Sequence, residues 1–218
     1  MENSILSKID FSVLKSTTTE RDVIHAAKDT IKFNFATLCV FPKHIRIARE
    51  ILPSEKISTV ISFPLSAIPL ELKLKEVENS LKEGAGELDV VVDVSNVKEK
   101  KWKKVEEELK TIRSLSEGKV IKLILECCYL TDEEKKKLCQ LAIENGWDYL
   151  KTSTGYGIRG ATYEDVKVLL KCSNGRIKVK AAGGVRTYQK AKSYIDLGVQ
   201  RIGTSSAKEI AYEVLHSR

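Results

Sequence analysis

Short apolar runs alternate along this 218-residue chain with longer stretches in which apolar positions recur every three or four residues. Eight runs read as strands: 8–13, 36–41, 57–63, 87–94, 119–126, 148–152, 177–182 and 200–203. Several are β-branched and nearly continuous in apolar character, such as ISTVISF at 57–63 and VIKLIL at 120–125. Runs of that kind suit parallel strands covered on both faces. The segments between them have helical period and caps that can be named. Thr19, with Asp22 three residues on, opens a helix expected to run to about Phe33. Thr131 and Glu134 form a capping-box pattern ahead of Leu138, Leu141 and Ala142, and Asn145-Gly146 closes that helix. Thr162 leads Val166, Leu169 and Leu170, while Thr187 leads Ala191, Tyr194 and Ile195 before Gly198.

No low-complexity or Pro/Ser-rich linker interrupts the pattern, so residues 1–218 read as one domain. Eight strand–helix repeats in this length predict the α/β class and a (β/α)₈ TIM barrel with a short N-terminal extension. A doubly wound open sheet is the alternative. Polar, charged and glycine residues cluster after several different strands, as at a barrel's catalytic face, which favours the barrel. The first strand is the least regular, because Asp10 and Ser12 interrupt it.

Composition narrows the function classes. Apolar content of 42% and charged content of 31% describe an ordinary globular chain. The apolar runs are too short to span a bilayer and no basic leader precedes an apolar block, so a cytoplasmic location without membrane contact is expected. Five cysteines, with no C-x-x-C pair and an odd count, agree with a reducing compartment. A net charge of +7 raises the question of nucleic acid. The basic stretches at 98–104 and 133–137 carry both signs at helical spacing, as solvated helix faces do, and no basic run is interleaved with aromatics. No nucleic-acid partner is expected; the excess positive charge suits an anionic small molecule. His25, His44 and His216 form no metal-ligand motif, and no serine carries a nucleophile-elbow signature, so no metal is expected. Lysines and carboxylates remain as the candidate chemistry.

Two lysines stand in matching contexts. Lys151 ends a strand and is followed by Thr152-Ser153-Thr154-Gly155; Lys180 lies near the end of the next strand, before Ala181-Ala182-Gly183-Gly184. On neighbouring parallel strands their ammonium groups converge. Like charges then lower one pKa and free an amine to attack a carbonyl. The plain alternative is a pair of lysines whose stems lie along the sheet while their heads reach water. Asp89 interrupts an apolar strand, where a buried acid needs a partner, and a lysine across the barrel would supply one. Asp93 reads as helix-entry chemistry, and Glu126 either faces the active end or makes a salt bridge at the barrel mouth. The run GYGIRG at 155–160 matches a dinucleotide fingerprint, but no carboxylate stands about 20 residues downstream, so it reads as a flexible, phosphate-tolerant or substrate-approach loop, with NAD binding the minor alternative. The loops at Gly183-Gly184 and at Gly203-Thr204-Ser205-Ser206 each follow a late strand and lead into a helix. Those are the positions of the phosphate site in many (β/α)₈ enzymes.

Taken together, LCVFP at 38–42, SFPL at 62–65, ELD at 87–89, ECCYLT at 126–131, KTSTG at 151–155, KAAGGVRT at 180–187 and IGTSS at 202–206 resemble the deoxyribose-phosphate aldolase family over nearly the whole chain. The resemblance implies a class I aldolase that reversibly cleaves 2-deoxyribose 5-phosphate to glyceraldehyde 3-phosphate and acetaldehyde, without metal or organic cofactor. It implies that Lys151 is the Schiff-base nucleophile and that Lys180 and Asp89 relay protons and set its pKa. Asp10, Ser12, Cys39, Thr154 and Gly155 would shape the sugar pocket; Gly183, Gly184, Gly203, Ser205 and Ser206 would hold the phosphate. Expected partners are the phosphorylated sugar and small aldehydes, with assembly into a dimer or tetramer. Phe11, Ser66 and Ile158-Arg159 depart from the family's usual residues. Two alternatives stand beside this reading: another phosphate-binding barrel enzyme, such as a sugar-phosphate isomerase or a different Schiff-base aldolase, and a non-catalytic binder of phosphorylated metabolites or RNA.

Overall fold

A computed structural model of the chain describes residues 3–216. Each expected strand segment forms a strand: β1 (Ile9–Val13), β2 (Thr37–Val40), β3 (Ile57–Ile61), β4 (Glu87–Val91), β5 (Val120–Ile124), β6 (Tyr149–Lys151), β7 (Lys178–Ala182) and β8 (Arg201–Thr204). All pair in parallel with their sequence neighbours, and β1 also pairs with β8, closing the barrel. The open doubly wound sheet is thereby excluded. Helices α1 (Asn3–Leu6), α2 (Glu20–Lys32), α3 (Ile45–Arg49), α4 (Leu70–Lys82), α5 (Val94–Lys98), α6 (Trp102–Leu115), α7 (Asp132–Glu144), α8 (Tyr163–Ser173), α9 (Tyr188–Asp196) and α10 (Ala207–His216) complete the chain, with α1 preceding the barrel as the extension.

The caps act as their residue types suggest. The hydroxyls of Thr19 and Thr131 accept from the amides of Asp22 and Glu134, whose carboxylates accept from the threonine amides in return, so both capping boxes are complete. Thr162 and Thr187 cap α8 and α9, and Asp93 caps α5. Some strands end earlier than their apolar runs. β3 stops where Ser62 takes φ +52°, and the run after β5 is broken at Glu126, with φ +54°. Neither backbone can continue a strand from the left-handed region.

Strand side chains alternate between two faces, and here the faces differ in chemistry. Ile9, Leu38, Val40, Leu88, Val90, Ile121, Leu123, Leu150, Val179 and Ile202 join one core with Val23, Val77, Leu109, Leu138, Leu169 and Ile210 of the surrounding helices. Lying between the sheet and the helix ring, this layer is the principal core. The alternate positions meet inside the barrel and include a network of charged side chains: Asp10, Glu87, Asp89, Lys122, Lys151, Lys180 and Arg201. Asp10 and Ser12 therefore do not weaken β1, because they occupy its inward positions. VIKLIL is likewise not apolar on both faces, since Lys122 points inward between Ile121 and Leu123, which belong to the outer core.

Candidate active site

Asp89 is the hub of the interior. Its Oδ2 lies 2.7 Å from Lys151 Nζ and 2.7 Å from Lys180 Nζ, and its Oδ1 accepts from Lys122 Nζ at 2.8 Å. The barrel register brings these groups together, pairing Asp89 with Lys122 and Lys151 with Lys180 on adjacent strands. Lys180 Nζ also lies 2.5 Å from Asp10 Oδ2, and Lys122 Nζ lies 2.6 Å from Glu87 Oε2. Arg201 ends the chain of contacts, bonding to Asp10 and reaching Glu87 Oε1 at 3.1 Å. Lys151 stands at the other end, 2% exposed and open to the cavity above.

The two matching lysines are electrostatically different. Burial opposes the charge of Lys180, but Asp10 and Asp89 outweigh it and raise the pKa, so this group stays an ammonium. The pKa of Lys151 is lowered, first by burial; Asp89 works against the shift, and the Lys180 ammonium adds to it. The expected direction holds, but the dominant cause is loss of water rather than the neighbouring charge. Burial would raise the pKa of Asp89, yet Lys122, Lys151 and Lys180 together hold its carboxyl well below the ordinary range. Asp10 is held low in the same way by Lys180, Lys122 and Arg201 against its burial.

Above Lys151 opens a cleft of about 190 Å³ lined by Ser12, Lys15, Lys151, Thr154, Gly155, Tyr156, Gly183, Gly184, Arg186, Gly203 and Ser205. A larger cleft of about 510 Å³ adjoins it, sharing Ser12, Lys15 and Ser205 and also lined by Phe11 and Ser206. Gly183 and Gly184 have φ of +87° and +73°, a consecutive pair of left-handed residues that side chains disfavour. A Cβ on Gly203 would stand 3.0 Å from Lys180 Cε, so glycine here makes room for the lysine's stem.

Most expected site residues converge on this mouth: Ser12, Thr154, Gly155, Gly183, Gly184, Gly203 and Ser205 line the cleft with Lys151. Lys180 and Asp89 lie fully buried off its wall, and three of the residues expected to shape the sugar and phosphate pocket do not stand on it either. Asp10 is completely buried beneath it, within the charge network, because its inward register on β1 faces Lys180 and Arg201. Cys39 is fully buried in a small cluster with Leu14 and Val60, and burial followed by the Asp89 carboxylate pushes its thiol pKa up. Ser206 lines the adjoining cleft, and its amide donates to Thr204 Oγ1 at 2.9 Å rather than pointing free.

The loop at 155–160 is anchored rather than loose. Tyr156 Oη donates to Leu14 O at 2.5 Å, Arg159 pairs with Asp165, and the Ala161 amide donates to Gly183 O at 3.2 Å. A Cβ on Gly160 would collide with the Gly183 carbonyl, so this glycine serves backbone contact between two loops of the mouth. Among the described residues Glu126 makes no salt bridge; its carboxylate accepts from the Thr154 amide at 3.3 Å and from the Thr154 hydroxyl, holding the turn after Lys151. Ser66 takes φ +55°, a conformation glycine adopts freely, and its hydroxyl accepts from buried Lys73 at 2.5 Å.

Lys122, Glu87 and Arg201 are site residues that the sequence reading passed over, as are Lys15 and Arg186 at the mouth. Lys122 carried the same signal as Asp89, a charge inside an apolar strand, and could have been found by it. Arg201 stands at a strand's first residue, where a charge looks solvated.

A family model described as DeoC/LacD family aldolase matches residues 4–209. The chain is 40% identical over 215 residues to a deoxyribose-phosphate aldolase of Thermococcus kodakarensis, covering 96% of each chain. Among solved structures it is similar to QR15, an aldolase, with a TM-score of 0.94 at 39% identity over 97% of this chain and 96% of that one. It is also similar to a deoxyribose phosphate aldolase from Aeropyrum pernix described as having a unique tetrameric structure, with a TM-score of 0.91 at 31% identity over 100% of this chain and 94% of that one. With a closed eight-stranded barrel, a buried lysine–aspartate centre at its mouth and these relatives, the chain belongs to the DeoC/LacD family of aldolases and is a lyase.

Proposed function

We propose that this aldolase cleaves 2-deoxy-D-ribose 5-phosphate reversibly to D-glyceraldehyde 3-phosphate and acetaldehyde through an imine on Lys151. The observation that carries the reading is the asymmetry of the lysine pair: of two ammonium groups sharing one carboxylate oxygen, only the one at the cleft has a lowered pKa. An unprotonated Lys151 attacks the C1 aldehyde of the open-chain sugar, and loss of water gives the imine. Acetaldehyde takes C1 and C2, so the bond that breaks lies between C2 and C3. A base removes the C3 hydroxyl proton, C3 becomes the aldehyde carbon of glyceraldehyde 3-phosphate, and the electron pair moves toward the protonated imine. Protonation of the resulting enamine at C2, followed by hydrolysis, releases acetaldehyde and restores the amine.

Asp89 and Lys180 form the proton relay, since the carboxylate oxygen that bonds Lys151 also bonds the ammonium of Lys180. The phosphate lies on the Gly183-Gly184 backbone and Ser205, near the N-terminus of α10, where Lys15 and Arg186 add positive charge. Ser12, Thr154 and Gly155 face the sugar. Among the described residues no group of His, Cys, Asp and Glu is arranged to hold a metal ion. Among the same residues no helix is long and apolar enough to cross a membrane. Assembly into a homo-oligomer is supported by the tetramer described for the Aeropyrum pernix relative.

The test is reduction with borohydride in the presence of acetaldehyde, followed by peptide mapping. One irreversible adduct is expected, on Lys151, and Lys151→Leu should lose both the adduct and on the order of 10⁴-fold or more in turnover. An adduct on Lys180 would invert the two assignments, and sugar cleavage without any adduct would end the imine mechanism.

A further inference from the structure

The barrel interior holds an unequal number of charges. Four cationic side chains, Lys122, Lys151, Lys180 and Arg201, meet three carboxylates, Asp10, Glu87 and Asp89, leaving a formal charge of +1. An uncompensated charge away from water is costly, so one cation is driven to give up its proton. Arginine cannot do so. Lys122 contacts both Glu87 and Asp89, with Asp10 at 3.7 Å, and Lys180 contacts both Asp10 and Asp89. Lys151 has Asp89 alone, and shares it with the other two lysines. It is the cheapest group to neutralise, and the one at the cleft.

We propose that Arg201 is a positioning residue for Lys151: from the far end of the buried network it supplies the permanent positive charge that makes an unprotonated Lys151 the balanced state. The inference rests on Lys151 being the nucleophile and adds a remote residue that prepares it. Arg201 is well placed for the task. Its side chain is 17% exposed, packs with its guanidinium carbon 5.8 Å from the Tyr149 ring centroid on β6, and engages Asp10 on β1 and Glu87 on β4. Beside it in register on β7 is Lys180. Around Lys151 the ionisable groups are Asp89 on β4, Lys180 on β7 and Cys39 on β2, with Lys122 on β5 sharing the same carboxylate. Arg201 thus acts by occupying carboxylates: with it removed, Asp10 and Glu87 are left to Lys180 and Lys122, Asp89 is released toward Lys151, and the count becomes three against three. Glu87 acts in the opposite sense, because losing it raises the formal charge to +2.

The experiment measures the pH at which Lys151 loses its proton, by the pH dependence of its acetylation by acetic anhydride read by mass spectrometry. This readout does not require catalysis. It is applied to the whole protein, Arg201→Met, Glu87→Gln and the double variant, alongside the pH profile of acetaldehyde trapping. In Arg201→Met the midpoint should move up by about one pH unit, making trapping at pH 7 about tenfold slower; in Glu87→Gln it should move down. The double variant has three cations and two carboxylates, restoring +1, and its midpoint should return close to that of the parent. A change in rate with no movement of the midpoint in either single variant, or movement of both in the same direction, would overturn the inference. Should Arg201→Met fail to fold, the direction of the Glu87→Gln shift decides. Acetylation midpoints that move as expected in a protein giving no imine adduct would leave the charge balance standing and remove the nucleophilic role of Lys151.

Discussion

The two faces of the strands solve opposite problems with the same backbone. The outward face, packed against the helix ring, is apolar at nearly every position and draws its stability from water excluded along its whole area. The inward face holds seven charged side chains in one connected network, whose burial is costly and whose benefit is mutual compensation. In the outer layer each contact is replaceable by another of similar volume. Inside, each group depends on the identity and protonation of the next. The outer layer makes the barrel, and the inner one lowers the pKa of the lysine proposed as the nucleophile.

The sharpest way to break this contrast is Asp89→Asn. Removing the anion shared by three lysines leaves buried cations uncompensated, at a cost of about 3–5 kcal/mol near neutral pH. Burial works to raise the pKa of Asp89, but the three lysines outweigh it and hold the group below its ordinary value of 3.8. Its contribution is therefore present above that value, where the unfolded carboxylate is also ionised, and fades as pH falls below it toward the folded pKa. Urea unfolding at pH 7 and at pH 3 should show a wide gap between parent and variant that narrows in acid. An equal gap at both would mean that Asp89 matters to the fold by shape rather than by charge.

Leu169→Ala is the matching change in the outer layer. Leu169 on α8 is fully buried against the sheet, and its truncation should destabilise by about 2–5 kcal/mol. That loss should be the same at pH 7 and at pH 5, and the pH profile of trapping at Lys151 should keep its midpoint. A shifted midpoint would show that the two faces are coupled through the sheet, and the division between them would need redrawing. The smallest effect is expected from Thr131→Ala, which removes the α7 cap: about 1 kcal/mol by urea unfolding, with activity of the folded enzyme unchanged.

Most of the fold was legible because its signals are local. Threonine caps, glycines after helices and short β-branched runs act within a few residues, and each of the eight runs became a strand. The ends were less legible, since Ser62 and Glu126 leave the strand region where they meet residues distant in the chain: the Ser62 amide donates to Glu76 of α4 at 2.8 Å, and Glu126 is held by Thr154 in the loop after β6. Of the site, Lys151 and Lys180 could be found from their matching strand-end contexts, and Asp89 because a charge in an apolar strand asks for a partner.

What the sequence determined by itself was the order of strands and helices, the apolar surface that joins them, and the presence of chemistry-bearing residues at strand ends. Tertiary structure alone decided which charges meet. Asp10 and Arg201 are 191 residues apart, and they become neighbours only because β1 pairs with β8 when the barrel closes. Lys151 and Lys180 share a motif context, yet the pKa of one is lowered and that of the other raised. That difference comes from how many carboxylates each can reach and how little water reaches the interior, and neither quantity is written in any local stretch of the chain.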